Sequence, residues 1–285
     1  MGYILHNVDE NILFCWSTFH KIMLKSMLQQ MRLFLTAMQF FTRIPVPGWV
    51  GHTSQQLNNA ARYFPLVGMS VGMFAVAALW LSMLALPIAL ALALSMLATI
   101  LVTGAFHEDG LSDFVDGMGG GYTREKMLAI MKDSHVGAYG VIALVLALLI
   151  KFQTLLALAN KHSFVIVAAT LIAAHAVSRL MAVSIMMTQQ YVRDEDTARA
   201  KPVVQGLSRI SILIAVLTGM FAVALLFMAG CSVVSVASAL AIALLLRIYL
   251  GWQLQKKLGG YTGDCLGAVQ QITEIGFYLG LLLSW

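Results

Sequence analysis

The chain has 285 residues, 60% hydrophobic and 11% charged, with a formal net charge of +5 and a mean hydropathy of +0.83. Soluble domains carry about 25% charged residues, so this composition excludes an ordinary soluble protein and predicts a polytopic integral membrane protein embedded in a lipid bilayer. The small basic excess suits membrane-flanking loops rather than a nucleic-acid surface, and the scattered Cys15, Cys231 and Cys265 offer no C-x-x-C pair for a disulfide framework, a zinc site or an iron–sulfur cluster.

Residues 1–30 contain Cys15, Trp16, Lys21 and Lys25 and lack an apolar run with a small-residue cleavage site, which argues against a signal peptide. They read as an N-terminal extension, either an interfacial arm or a stretch upstream of a true start at Met31. Residues 31–285 read as one membrane-embedded domain. Its first element, 31–44, is an amphipathic helix with Arg32 and Arg43 near its ends. That helix is too short to span and is expected at the interface. Pro45-Val46-Pro47-Gly48 stops it. About seven spanning helices follow, near 64–84, 87–106, 137–159, 164–188, 210–230, 233–252 and 266–284, each resting on a run of roughly 18–25 apolar residues. Pro87 stands where a helix start tolerates it. Gly68 and Gly72 form a small-x-x-x-small step that permits close helix contact. The expected fold class is thus all-α: a membrane helix bundle with an N-terminal interfacial helix.

Charge sets the expected orientation. The N-terminal region and the loops at 107–136, 189–209 and 253–265 hold 14 of the 18 Lys and Arg residues, the short turns hold only Lys161, and Lys151, Arg179 and Arg247 remain inside spans. The positive-inside rule puts the long polar loops, and any site built from them, on the cytoplasmic side of the membrane.

Six of the 13 acids lie between Glu108 and Asp133. Asp109, Asp113 and Asp116 follow i, i+4, i+7 spacing, which a helix gathers on one face. Like charges so placed repel, and a divalent cation such as Mg²⁺ relieves the repulsion. The alternative is a solvated helix end. Gly117-Met118-Gly119-Gly120-Gly121 lets backbone N–H groups approach a ligand and suits a phosphate or a turn. Asp133 and Asp264 each stand before a span, where helix capping and metal ligation compete as readings. His175 and Arg179 lie one turn apart inside a span, a costly place for ionisable groups. Arg179 either snorkels or aims its forked donors at a phosphate. Lys201, in a loop of mixed sign, is a second group able to reach an anionic substrate. These parts suit metal-assisted phosphoryl transfer.

Several stretches, taken in order, resemble the cobalamin synthase family, the adenosylcobinamide-GDP ribazoletransferases. They are Phe41-Thr42-Arg43-Ile44-Pro45-Val46-Pro47, Phe64-Pro65-Leu66-Val67-Gly68, His107-Glu108-Asp109-Gly110-Leu111-Ser112-Asp113 with Asp116-Gly117, Met131-Lys132-Asp133-Ser134 with Gly137, Ala176-Val177-Ser178-Arg179, and Gly263-Asp264 with Leu266-Gly267-Ala268. The resemblance runs from about residue 31 to the C-terminus. It implies the joining of adenosylcobinamide-GDP to α-ribazole or its 5′-phosphate, with release of GMP and a need for Mg²⁺. It also implies metal ligation by Asp109, Asp113 and Asp116, with Glu108, Asp133 and Asp264 as further candidate ligands. Arg179, Lys201, Gly119, Gly120 and Ser134 are the candidate phosphate contacts, and His107 is a candidate general base. A homo-oligomer is left open. The spaced aspartates also resemble the CDP-alcohol phosphotransferases, although the Ala-Arg after the aspartate–glycine pair is missing here. A CDP-alcohol-type lipid phosphotransferase and a cation-coupled transporter stand as the competing readings.

Overall fold

A computed structural model describes residues 23–51, 53–192 and 206–283. The described residues form helices throughout, with one isolated backbone bridge between Tyr191 and Tyr261. In chain order they are α1 (residues 23–41), α2 (Ser54–Ala60), α3 (Phe64–Met83), α4 (Ile88–Thr103), α5 (Phe106–Gly120), α6 (Arg124–Lys132), α7 (Ala138–Lys161), α8 (Phe164–Thr188), α9 (Arg209–Met228), α10 (Val233–Leu258) and α11 (Gly263–Leu282).

Among the described residues, six helical segments are long and apolar enough to cross a membrane: Ser54–Met83, in which α2 runs through a short 3-10 turn into α3, and then α7, α8, α9, α10 and α11. The bent pair α4 and α5 makes a seventh if counted as one span. The molecule is therefore an all-α polytopic membrane protein. Where the sequence predicts a straight second span over 87–106, the chain instead turns through 86° between α4 and α5. The turn is made by two consecutive left-handed residues, Gly104 (φ 66°) and Ala105 (φ 59°). Glycine adopts that conformation freely, whereas an alanine there is strained and must be held by its surroundings. Arg43 supplies part of the hold. Its backbone N–H donates to the Val102 carbonyl at 2.7 Å, and its guanidinium lies against Gly104 where a side chain would otherwise sit.

The expected N-terminal helix is present but shifted, covering 23–41 among the described residues rather than 31–44. Leu33, Ala37 and Phe41, spaced four apart, bury one face of it in the core. The small-residue step in α3 makes a real crossing: Gly68 and Gly72 meet the backbone of α8 at His175–Ala176 and at Ile172. Helix α11 has the lowest mean hydropathy of the six spans, 1.2, yet is the most enclosed, with 78% of its window buried. It packs against α5, α7, α8 and α10 and is the axis on which the polar interior is built.

Candidate active site

The i, i+4, i+7 acids do share one α-helix, and α5 is aimed by a crossing with α11. Gly110 lies so close to α11 that an added Cβ would come within 3.0 Å of the Asp264 carbonyl and 3.2 Å of the Gly267 Cα. This backbone-to-backbone approach puts Asp109 and Asp264, from two helices distant in sequence, on the wall of one cavity of 320 Å³. His107 and Gly110 of α5, Arg179 of α8, and Gly267 and Gln270 of α11 line it too. The rest of the wall is largely aromatic: Phe40 and Phe41 from α1, Phe64 from the start of α3, Phe106, and the bridged pair Tyr191 and Tyr261. Burial and the neighbouring Tyr191 push the Tyr261 phenol up, so it stays a neutral hydroxyl.

The polar groups around this cavity are unevenly satisfied. His107 is buried and lies nearly parallel to the Phe41 ring, with centroids 5.4 Å and planes 12° apart. Its Nε2 has no hydrogen-bond partner among the described residues. Arg179 is 2% exposed. One of its terminal nitrogens donates to the His175 carbonyl at 3.0 Å, while Nε finds no acceptor among the described residues. Buried polar groups without partners are rare in folded proteins and mark places where a ligand or water completes the set.

The other candidates are placed differently. Asp113 sits half-buried on α5, one turn beyond Asp109, and is not among the cavity-lining residues. Asp116 is buried, and its two carboxylate oxygens accept from the backbone N–H groups of Gly137 at 2.8 Å and Gly140 at 2.9 Å. It therefore holds the first turn of α7, the capping role considered for Asp133 from sequence. Asp133 instead ends α6, exposed, and accepts from the backbone N–H of His135 at 3.1 Å while pairing with its ring at 2.6 Å. That contact holds the Asp133 carboxyl below, and the His135 imidazole above, their ordinary values. Likewise the cap of α11 is Thr262, whose hydroxyl accepts from the Cys265 N–H, which leaves Asp264 in the first turn facing the cavity. Ser134, Gly119 and Gly120 are exposed and lie off the cavity wall, with Gly119 against the Tyr139 ring. Glu108 is half-buried. One oxygen accepts from Gln271 at 2.9 Å, and the other has no partner among the described residues. Lys201 lies outside the described residues.

Among the described residues, no group of three or more His, Cys, Asp or Glu side chains is arranged to hold a metal by itself. This does not conflict with the donor chemistry of Mg²⁺, which usually rests on one or two carboxylates and completes its shell with water and substrate phosphate. Asp109 and Asp264 are such a pair, on the wall of a cavity that also presents a guanidinium. The residues present fit the ion.

Sequence reading missed the polar seam below the cavity. Glu274 of α11 is fully buried. It pairs with Lys151 Nζ of α7 at 2.5 Å and with His175 Nδ1 at 3.3 Å. It also accepts from Gln270 Nε2 at 2.6 Å and from the Tyr278 hydroxyl at 3.1 Å. Gln270 further donates to Ser178 of α8 at 3.0 Å. The available signal was charge balance: Lys151 and Glu274 are opposite charges in separate spans, and such groups seldom sit in a membrane unpaired.

Fold and site together define a helical membrane protein whose acidic and basic side chains converge on one enclosed cavity lined by aromatic rings. The Cobalamin-5-phosphate synthase family model matches residues 33–282, and the chain belongs to that family. It is similar to proteins called adenosylcobinamide-GDP ribazoletransferase in Shewanella frigidimarina (48% identical over 90% of this chain and 95% of the relative) and Shewanella amazonensis (46%, over 90% and 97%). No solved structure matches. Membership in this family of cobalamin-biosynthesis transferases sets aside the lipid phosphotransferase and transporter readings.

Proposed function

We propose that this chain joins adenosylcobinamide-GDP to α-ribazole or its 5′-phosphate in a bacterial inner membrane, from the cytoplasmic side, releasing GMP. The observation that carries the reading is the convergence of Asp109, Asp264, His107 and Arg179 on one cavity, in a chain of this family.

In the proposed reaction a free ribose hydroxyl of the ribazole component attacks the cobinamide-linked phosphorus, while the 5′-oxygen of α-ribazole 5′-phosphate keeps its phosphate into the product. A new P–O bond forms, the bond to the GMP phosphate breaks, and GMP departs as the anion. Mg²⁺, when bound, would supply charge neutralisation at the diphosphate. Asp109 and Asp264 are assigned to hold it, with Asp113 close behind on α5. Arg179, packed by α8 at the wall, is assigned to the phosphate oxygens, with Lys201 as a second cation. The hydroxyl proton is assigned to His107, whose stacking on Phe41 fixes the ring plane.

The test is purified chain in detergent micelles given adenosylcobinamide-GDP, α-ribazole 5′-phosphate and Mg²⁺, with corrinoids and GMP read by mass. The expected result is adenosylcobalamin 5′-phosphate and GMP in equal amounts, lost with a chelator and in Asp109→Asn. Full turnover under chelation, or no joined product with the parent chain, would overturn the proposal.

A further inference from the structure

We infer that the aromatic part of the cavity is the subsite for the base of the incoming nucleoside, a planar heteroaromatic ring with a largely apolar edge, and not for the guanine of the other substrate. The inference rests on the reaction proposed above and adds which half of the substrate pair this pocket takes.

Size makes the first cut. A cavity of 320 Å³ is at the lower end of the roughly 300–1,000 Å³ typical of small-molecule sites. It admits a nucleoside but not a corrin macrocycle with its substituents, so the corrin must lie outside it. Two bases then compete. Guanine carries several donors and acceptors on its edge, and enclosing them without partners is costly. A dimethylbenzimidazole carries methyl groups on its benzo edge and one free ring nitrogen. The wall suits the second base. Two ring clusters line it, Phe40, Phe41, Phe64 and Phe106 in one and Tyr191 and Tyr261 in the other, and Gln270 adds one unpaired carbonyl oxygen.

The rings also have the right organisation. Phe41 is the centre of the cluster, edge-on to Phe64 at 4.4 Å and to Phe106 at 5.5 Å, and is itself buried. Phe106 keeps 38% of its surface exposed, and Phe40 and Tyr191 are half-buried. A rigid buried ring thus supports outer rings that retain free area, which suits stacking by a flat ligand. The polar groups Asp109, Asp264 and Arg179 lie on the same cavity, within reach of the ribose end of a base held there.

The test uses α-ribazole itself as the probe, followed by benzimidazole fluorescence on the purified chain in detergent without the second substrate. Phe106→Ala and Tyr191→Ala remove rings that are not fully buried, and Phe106→Tyr is the conservative control. Binding of α-ribazole is expected to weaken at least tenfold in both alanine variants and to be retained in Phe106→Tyr. GMP should not displace it. In turnover, the KM for the nucleoside should rise at least tenfold while that for adenosylcobinamide-GDP stays within twofold. Displacement by GMP, a rise confined to the KM for adenosylcobinamide-GDP, or unchanged binding in both alanine variants would overturn the assignment. Because binding is read without turnover, α-ribazole bound through these rings by a chain that makes no cobalamin product would refute the reaction and leave the subsite standing.

Discussion

Removing one partner of the Lys151–Glu274 pair should destabilise the bundle far more than removing both. The Glu274 carboxylate is fully enclosed and accepts from four groups: Lys151 at 2.5 Å, Gln270 at 2.6 Å, Tyr278 at 3.1 Å and His175 at 3.3 Å. Only Lys151 is a permanent cation. Lys151→Met leaves a buried carboxylate among neutral donors, and breaking a buried pair in this way costs about 3–5 kcal/mol. The neighbouring Arg179 guanidinium also interacts electrostatically with Glu274 and offsets part of the lost pairing, which argues for the lower end of that range. Glu274→Gln strands the ammonium instead, and no second carboxylate is paired with Lys151 among the described residues, so this variant should lie toward the upper end. The double variant removes both charges and loses only hydrogen bonds, at about 0.5–1.5 kcal/mol each. It should cost about 1–3 kcal/mol, well short of the summed single effects. The assay is equilibrium unfolding in mixed micelles of increasing SDS fraction, followed by tryptophan fluorescence, with the four proteins closed into a double-mutant cycle. A double variant as damaged as the sum of the singles, or singles each within about 1 kcal/mol of the parent on the scale of exposed pairs, would refute the reasoning.

Three further outcomes are expected. Asp116→Ala removes the acceptor for two N–H groups of α7 and should cost about 2–3 kcal/mol of stability from lost capping and charge-assisted bonds, whereas Asp109→Asn should leave the unfolding midpoint unchanged and remove turnover. Measuring both quantities on both variants separates an acid that holds the fold from one that serves the site. Gly267→Val should disrupt the α5–α11 crossing, because even a Cβ there comes within 3.1 Å of the His107 carbonyl and 3.2 Å of the Gly110 Cα; turnover should fall at least tenfold, and a fully active variant would show that the crossing does not set the cavity. His135 should titrate above 6.5 in histidine-labelled NMR spectra and return toward 6.5 in Asp133→Asn. Since the His value is raised, its share of the contact is present below 6.5 and lost as pH rises through the folded value. Since the Asp133 value is lowered from 3.8, its share is present above 3.8 and lost on further acidification, so the pair acts between these limits.

Spans and the acidic helix were legible because each rests on a one-dimensional signal: a long apolar run, or acids at helical spacing. What was not legible depends on contacts between distant segments. The apolar run 87–106 continues through Gly104 and Ala105, so nothing in its hydropathy marks an 86° turn; the left-handed Ala105 is held by its surroundings, including Arg43 in the segment that follows α1. The acids likewise look alike in sequence. Asp116 faces the N-terminus of α7, 21 residues away, and Asp133, right beside it, does not. In α11, however, a readable pattern went unused. Asp264, Gly267, Gln271, Glu274 and Tyr278 recur at alternating steps of three and four, with Gln270 beside them, and this stripe lies in the span of lowest hydropathy. Lipid gives a helix no reason to carry such a stripe, so it must face protein. One end of it lines the cavity through Asp264, Gly267 and Gln270, and the other binds α7 and α8 through Glu274. Gln270 belongs to both ends. The ion pair in the bundle interior therefore fixes the rotation of α11, and with it the direction in which Asp264 meets Asp109 across the Gly110–Gly267 contact.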